Sequence, residues 1–185
     1  MEKRCGDIDP GIQAYMMRVM NLSPHEMEQI LNHKSGTFGI TGRRQGREHF
    51  LEAVLDGDSR CRLALEVETY RLRKYIGSYL AVIGPLDGVV FTAGTGAAEW
   101  LVREMVLNGL EGLGIRFDRG NNRAIQSRQV EVEITGEDSP IKTFVIPTNE
   151  ELVYVEDVAA IHTGVYSDHQ RLDYSFTHRG FVPFA

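Results

Sequence analysis

The sequence predicts an α/β fold, and three observations predict it. A long helical pattern covers residues 59–82. Short apolar or alternating runs at 89–91, 129–134 and 143–146 have the length and residue types of strands. The apolar run Val89-Val90-Phe91 passes through a small-residue turn, Thr92-Ala93-Gly94-Thr95-Gly96, directly into another helical pattern. Helices and strands interleaved in this way stack as layers around a shared core. The 185 residues suffice for one generous domain or two small ones.

In chain order, Asp9-Pro10 is an N-cap with proline at the first helical position. The helix it opens carries Ile12, Tyr15, Met16 and Val19 on one face. Ser23 and Glu26 form a capping box for a second helix with Met27, Ile30 and Leu31 as its buried stripe. Residues 35–46 hold four glycines and are expected to be a loop, of a length often given to function. A helix near 47–55 and a turn at Asp56-Gly57-Asp58 precede the long helix. Within the latter, Leu65, Leu72, Ile76 and Tyr79 recur at helical spacing, with Arg71, Arg73 and Lys74 among them. Gly84-Pro85 stops it, and Asp87-Gly88 makes a turn.

After the glycine turn, Ala98, Leu101, Val102 and Met105 mark one helix face, which Gly109, Gly112 and Gly114 close. Ile115–Phe117 is a candidate short strand. Thr148 and Glu151 are placed as a capping box for the last helix, and beyond about residue 162 the periodicity fails. No internal repeat or low-complexity tract occurs.

Composition excludes several classes. With 42% hydrophobic and 25% charged residues the chain is expected to be a soluble globular protein with a sizeable core. A net charge of -6 argues against wholesale binding of nucleic acid. No apolar run approaches the ~20 residues of a membrane span. The stretch MEKRCGDIDP has no apolar segment behind its basic residues, so no signal peptide and a cytoplasmic location are expected. Cys5 and Cys61 fit reduced thiols better than a disulfide framework or a zinc site.

Four places can carry chemistry. A strand, a glycine turn and a helix start can hold an anion with aligned amides, although glycines at Gly94 and Gly96 also serve turn geometry alone. Glu150 follows a strand end, where it can belong to a helix cap or stand beside a magnesium ion. Arg4 is either solvated or a clamp for a phosphoryl group, which suits its planar fork. His162, His169 and His178 with Asp168 and Asp173 fit no metal-ligand spacing and are expected in an irregular tail.

Four segments, RCGDIDPGI (4–12), NHKSGTFGITG (32–42), VVFTAGTG (89–96) and FVIPTNEELV (144–153), occur in this order, with YRLRKYIGSYLAVIGPLDG and NGLEGLGIRFD between them. Together they resemble the C-terminal part of acetate kinase and its propionate and butyrate relatives, from about residue 4 to about residue 160. The resemblance implies an actin-like, ribonuclease-H-like domain of the acetate and sugar kinase superfamily, with a mixed sheet and flanking helices. It makes residues 1–160 the kinase-like domain and 161–185 a divergent tail. In that family ATP and Mg²⁺ bind in a cleft between two such domains, and phosphate passes to a small carboxylate. Arg4 matches a catalytic arginine that steadies the transferred phosphoryl group. Gly94, Thr95 and Gly96 match the start of a GxGEN nucleotide-binding turn, and Glu150 matches a magnesium-associated acid.

The departures define the expectation as much as the matches do. Where the family has Glu-Asn, this chain has Ala97-Ala98. Where the family carries Asp, a small or aromatic residue and Arg near the adenosine, this chain has Gly46, Arg47 and Glu48, and a one-residue slip makes Arg47 a stand-in. The family's N-terminal domain, with its acetate-contacting arginine and catalytic aspartate, has no counterpart in the 185 residues. The resemblance therefore implies a phosphotransferase domain inactive alone, with weak ATP or ADP binding and pairing as a homodimer. The alternatives are a non-catalytic dimerisation scaffold and a nucleotide sensor of the same fold.

Overall fold

A computed structural model describes residues 2–43, 46–125, 131–168 and 171–181. The chain divides into two compact units, Met1–Gly84 and Pro85–Ala185.

The first unit is helical: α1 (Pro10–Met20), α2 (Pro24–His33), α3 (Gly36–Thr41), α4 (Arg47–Leu55) and α5 (Ser59–Ile83). Its helix starts follow the sequence signals. The Asp9 carboxylate accepts from the Gly11 amide at 2.7 Å. Ser23 and Glu26 close the expected capping box. Asp58 accepts from the Cys61 amide at 2.9 Å, directly after Gly57 turns the chain at φ +91°. The first half of α5 buries Cys61, Ala64, Leu65, Glu68 and Thr69, a spacing of three and four that forms one face, and α3 and α4 pack on this helix.

Two expectations need correction here. The 35–46 segment is not a loop throughout, because α3 occupies its first half. Its glycines punctuate a helix rather than abolish one: Gly36 (φ +62°) opens it and Gly42 (φ +70°) ends it. The apolar stripe of α5 is also not continuous. Leu65 is fully buried, but Leu72 is 40% and Tyr79 61% exposed. The face of α1 is likewise uncovered within this unit, and none of its residues is buried.

The second unit is mixed α/β. It contains β1 (Gly88–Phe91), α6 (Ala93–Ala98), α7 (Trp100–Leu107), α8 (Arg119–Ala124), β2 (Val132–Glu133), β3 (Lys142–Val145) and α9 (Glu150–Thr163). The sheet order is β1-β3-β2, with β1 parallel and β2 antiparallel to the central strand. Val89 pairs with Thr143 and Phe91 with Val145, and both β3 partners are fully buried. Val102, Val106, Leu107, Leu110, Ile115 and Ile134 complete the core beside them.

Ile115–Phe117 forms single bridges, Ile115 to Ile141 and Phe117 to Thr135, rather than a strand. Gly136 is required there, since a Cβ would lie 2.9 Å from the Phe117 nitrogen. Gly88 is the first residue of β1 instead of part of a turn. The strand expected over 129–134 is seen at Val132–Glu133, with residues 129 and 130 outside the described residues. The last helix is capped one residue later than expected: Asn149, not Thr148, accepts from the Leu152 amide at 3.1 Å. Beyond α9 the described residues hold one 3₁₀ turn, Ser175–Thr177, and are anchored to that helix. Tyr174 is buried and donates to Asp157 at 2.7 Å, and the Ser175 amide donates to Glu156 at 2.9 Å. No helix among the described residues is long and apolar enough to cross a membrane.

Candidate functional site

The glycine turn is itself helical. The sequence reading places Gly94-Thr95-Gly96 in a turn ahead of a helix. Instead α6 begins at Ala93, immediately after β1, and runs to Ala98. Thr92 is extended, and Ala93 then takes φ +58°, a left-handed conformation that costs a side-chain-bearing residue roughly 1–2 kcal/mol. Gly96 packs onto the end of the strand, where a Cβ would stand 3.3 Å from the Phe91 carbonyl carbon, whereas Gly94 faces open space. Helix amides in a first turn lack internal partners, so those of Gly94 and Thr95 are the ones available to an anion. Ala97 is 3% exposed and Ala98 half-buried.

α6 breaks at Glu99, and α7 starts one residue later. A break of this kind leaves carbonyls unsatisfied, and a buried arginine meets them. The Arg103 Nη1 donates to the Gly96 carbonyl at 2.8 Å and the Ala97 carbonyl at 2.9 Å. Its Nε donates to Asn122 Oδ1 at 2.7 Å and its Nη2 to the Asn122 carbonyl at 3.0 Å. Asn122 in turn donates to the Trp100 carbonyl at 3.0 Å. Both side chains are fully buried. Burial pulls the Arg103 pKa down to about 10, against the opposing pull of the Glu99 charge, so it stays cationic at neutral pH. Beside it, Arg123 grips Glu104 with two bonds of 2.8 and 2.7 Å.

Sequence reading missed Arg103 and Asn122. It followed one face of α7, whereas this short helix buries Val102, Arg103, Glu104, Val106 and Leu107, on more than one side. The signal present was an Arg-Glu pair inside an apolar run, with a polar helix of matching groups, Arg119–Ala124, downstream.

The other expected residues are distributed over both units. Arg4 and Arg47 belong to the first, and Gly94–Ala98 and Glu150 to the second. Arg4 is exposed, and its side chain makes no hydrogen bond or ion pair among the described residues. Arg47 is the first residue of α4; it pairs with the buried Glu68 at 2.8 Å and lies 5.2 Å over the Phe50 ring. Glu150 is exposed at the first position of α9. No hydrogen bond or ion pair joins it to α6 among the described residues. One open carboxylate fits Mg²⁺ held largely through water, since that ion takes few carboxylates and keeps several waters. His178 pairs with Asp173 at 2.9 Å, and no group of three His, Cys, Asp or Glu side chains suited to a metal occurs among the described residues; His169 lies outside them.

A family model described as the Acetokinase family matches residues 1–156. The chain is 56% identical over 182 residues to the acetate kinase of Geobacter metallireducens, an alignment covering 98% of this chain and 43% of that protein. It is 55% identical, with the same coverage, to the acetate kinase of Geobacter sulfurreducens. The chain thus spans about 43% of the length of these relatives. Among solved structures, Porphyromonas gingivalis acetate kinase matches with a TM-score of 0.77 at 32% identity, over 89% of this chain and 40% of that one. A propionate kinase from Francisella tularensis matches with a TM-score of 0.73 at 34% identity, over 82% and 38%.

Proposed function

Because the chain belongs to the acetokinase family and shares the mixed α/β fold of acetate and propionate kinases, we propose that it is an acetate-kinase-like phosphotransferase domain that does not turn over alone. In the reaction of such a domain, the bond from the γ-phosphorus of ATP to its bridging oxygen breaks as a bond to a carboxylate oxygen forms. The charge spread over the oxygens of the transferring group needs stabilisation from both sides of the cleft. Arg4 supplies one cation to that group. The amides of the Gly94-Thr95-Gly96 turn meet a nucleotide phosphate, with Ala97 and Ala98 after them, and Arg47 stands in for the arginine that the resemblance gives to the adenosine. Glu150 would hold Mg²⁺, directly or through water, and the ion would neutralise phosphate charge when bound.

The observation that carries the inactivity is coverage: residues equivalent to more than half of each acetate kinase relative are not among these 185. Loss of the polar pair after Gly96 is the second support, since Ala97 and Ala98 offer no side-chain hydrogen bond. A coupled assay of the 185-residue chain with acetate, ATP and Mg²⁺ should read background. Turnover that Arg4→Ala abolishes would overturn the proposal.

Residues 1–160 form the kinase-like part in this reading and 161–185 a tail. The free thiols of Cys5 and Cys61 suit a cytoplasmic location. A second reading, a homodimer that serves as a scaffold, is favoured by the second half of α5. There Tyr70 is 60%, Tyr79 61% and Val82 81% exposed. Sedimentation over a concentration series should show a dimer, and a single monomeric species at tens of micromolar would exclude it.

A further inference from the structure

We propose that Arg71 of α5 is a positioning residue for Arg4, latching the N-terminal segment on which Arg4 is presented. The proposal rests on the reading of Arg4 as the cation that meets a phosphoryl group.

The backbone around Arg4 is fastened on both sides. The Glu2 carbonyl accepts from the Phe38 amide at 2.9 Å and from the Thr37 hydroxyl at 3.2 Å. The Lys3 carbonyl accepts from the Ser35 amide at 2.9 Å, and the Cys5 amide donates to the Leu31 carbonyl at 2.8 Å. Arg71 closes the far end. Its Nη1 donates to the Cys5 carbonyl at 3.1 Å, and its Nη2 stands 2.7 Å from the Asp7 carboxylate. Tyr75, one turn further along α5, donates to the same carboxylate oxygen.

Gly6 completes the latch. It sits at φ +67°, and a Cβ there would lie 1.9 Å from Arg71 Nη1, so the guanidinium fills the space a side chain would need. One rigid plane thus holds a main-chain carbonyl and a carboxylate at once, which the single ammonium of a lysine cannot reproduce. Arg71 is itself only 18% exposed, whereas Arg4, between the fastened residues, is exposed with its guanidinium uncommitted. Stabilising a developing charge requires a cation whose position is fixed in advance.

Amide hydrogen exchange on the whole chain tests this. In Arg71→Met the Cys5 and Ser35 amides should exchange faster on the order of tenfold, while Leu65 and Thr69 in α5 keep their protection. Arg71→Lys should recover little of the loss. Asp7→Asn, at the exposed end of the pair, should give a smaller rise without touching the helix, and it decides the matter if Arg71→Met loosens α5. Unchanged Cys5 exchange in Asp7→Asn and Arg71→Met overturns the latch. Phosphorus NMR of inorganic phosphate separates the latch from the reading of Arg4. If Arg71 acts through Arg4, Arg71→Met weakens phosphate binding in the native background and not in Arg4→Ala. Additive losses overturn the positioning role. Phosphate binding that ignores Arg4→Ala defeats the reading of Arg4 instead, and the exchange result then stands alone for the latch.

Discussion

In the first unit, Arg4 is an exposed cation carried on backbone that other residues fasten. In the second, α6 is partly buried backbone fastened by a buried cation, Arg103, with no charged side chain of its own among Ala93–Ala98. One region keeps the charged group, and the other keeps the shape. The difference follows from what each loss would cost. Arg103 donates four hydrogen bonds to buried oxygens, so removing it would leave acceptors stranded. An alanine at the buried position 97 satisfies packing and strands nothing, so the fold tolerates the missing polar side chains.

The sharpest way to break this comparison is Arg103→Met. It should cost the second unit about 3–5 kcal/mol, because it leaves several neutral acceptors unsatisfied at roughly 1–3 kcal/mol each. Arg4→Ala should leave stability within about 0.5 kcal/mol. Denaturant unfolding of both variants checks this, and similar midpoints would erase the distinction. A smaller effect is expected at Glu104. Donation from Arg123 to both oxygens, more than the nearby Arg119 charge, holds its carboxyl below the ordinary value of 4.5. A depressed carboxylate contributes stability that is complete above 4.5 and lost as pH falls through its lower folded value. Glu104→Gln should cost about 2 kcal/mol at neutral pH and flatten the decline of melting temperature from about pH 6 to about pH 3. An unchanged acid slope would show that other carboxylates, such as Asp58 or Asp173, dominate.

The smallest effects sharpen the comparison at α6. Ala98 is half-buried, so Ala98→Asn should be accepted and tighten ADP binding severalfold, in the range of one hydrogen bond. Ala97 is 3% exposed, so Ala97→Glu must displace neighbours to reach a ligand, and it should lower stability by about 1–3 kcal/mol. A double variant that binds more tightly with no loss of stability would mean that α6 opens more readily than its packing implies.

What the sequence made legible was local. Asp9 and Ser23 were caps because cap chemistry depends on residues two or three apart. The motif order around Arg4, Gly94 and Glu150 pointed to the family that the comparisons identify. The failures were of two kinds. Four glycines suggested a loop where Gly36 and Gly42 instead bracket α3, because the backbone of Glu2 and Lys3 holds that helix from 35 or so residues away. The contacts of Arg103 and Arg71 were not legible because their partners, Asn122 and the Cys5–Asp7 segment, are distant in the chain. No periodicity encodes such pairs.

The central claim is that α6 retains a nucleotide-binding shape without its affinity. Calorimetric titration of the unmodified chain with ADP and Mg²⁺ addresses it most directly. Two missing charged or ligand-facing hydrogen bonds, at roughly 1.5–3 kcal/mol each, lower affinity on the order of a hundredfold or more, so a millimolar or weaker constant is expected. A micromolar constant would contradict the account, because groups other than Ala97 and Ala98 would then be holding the nucleotide.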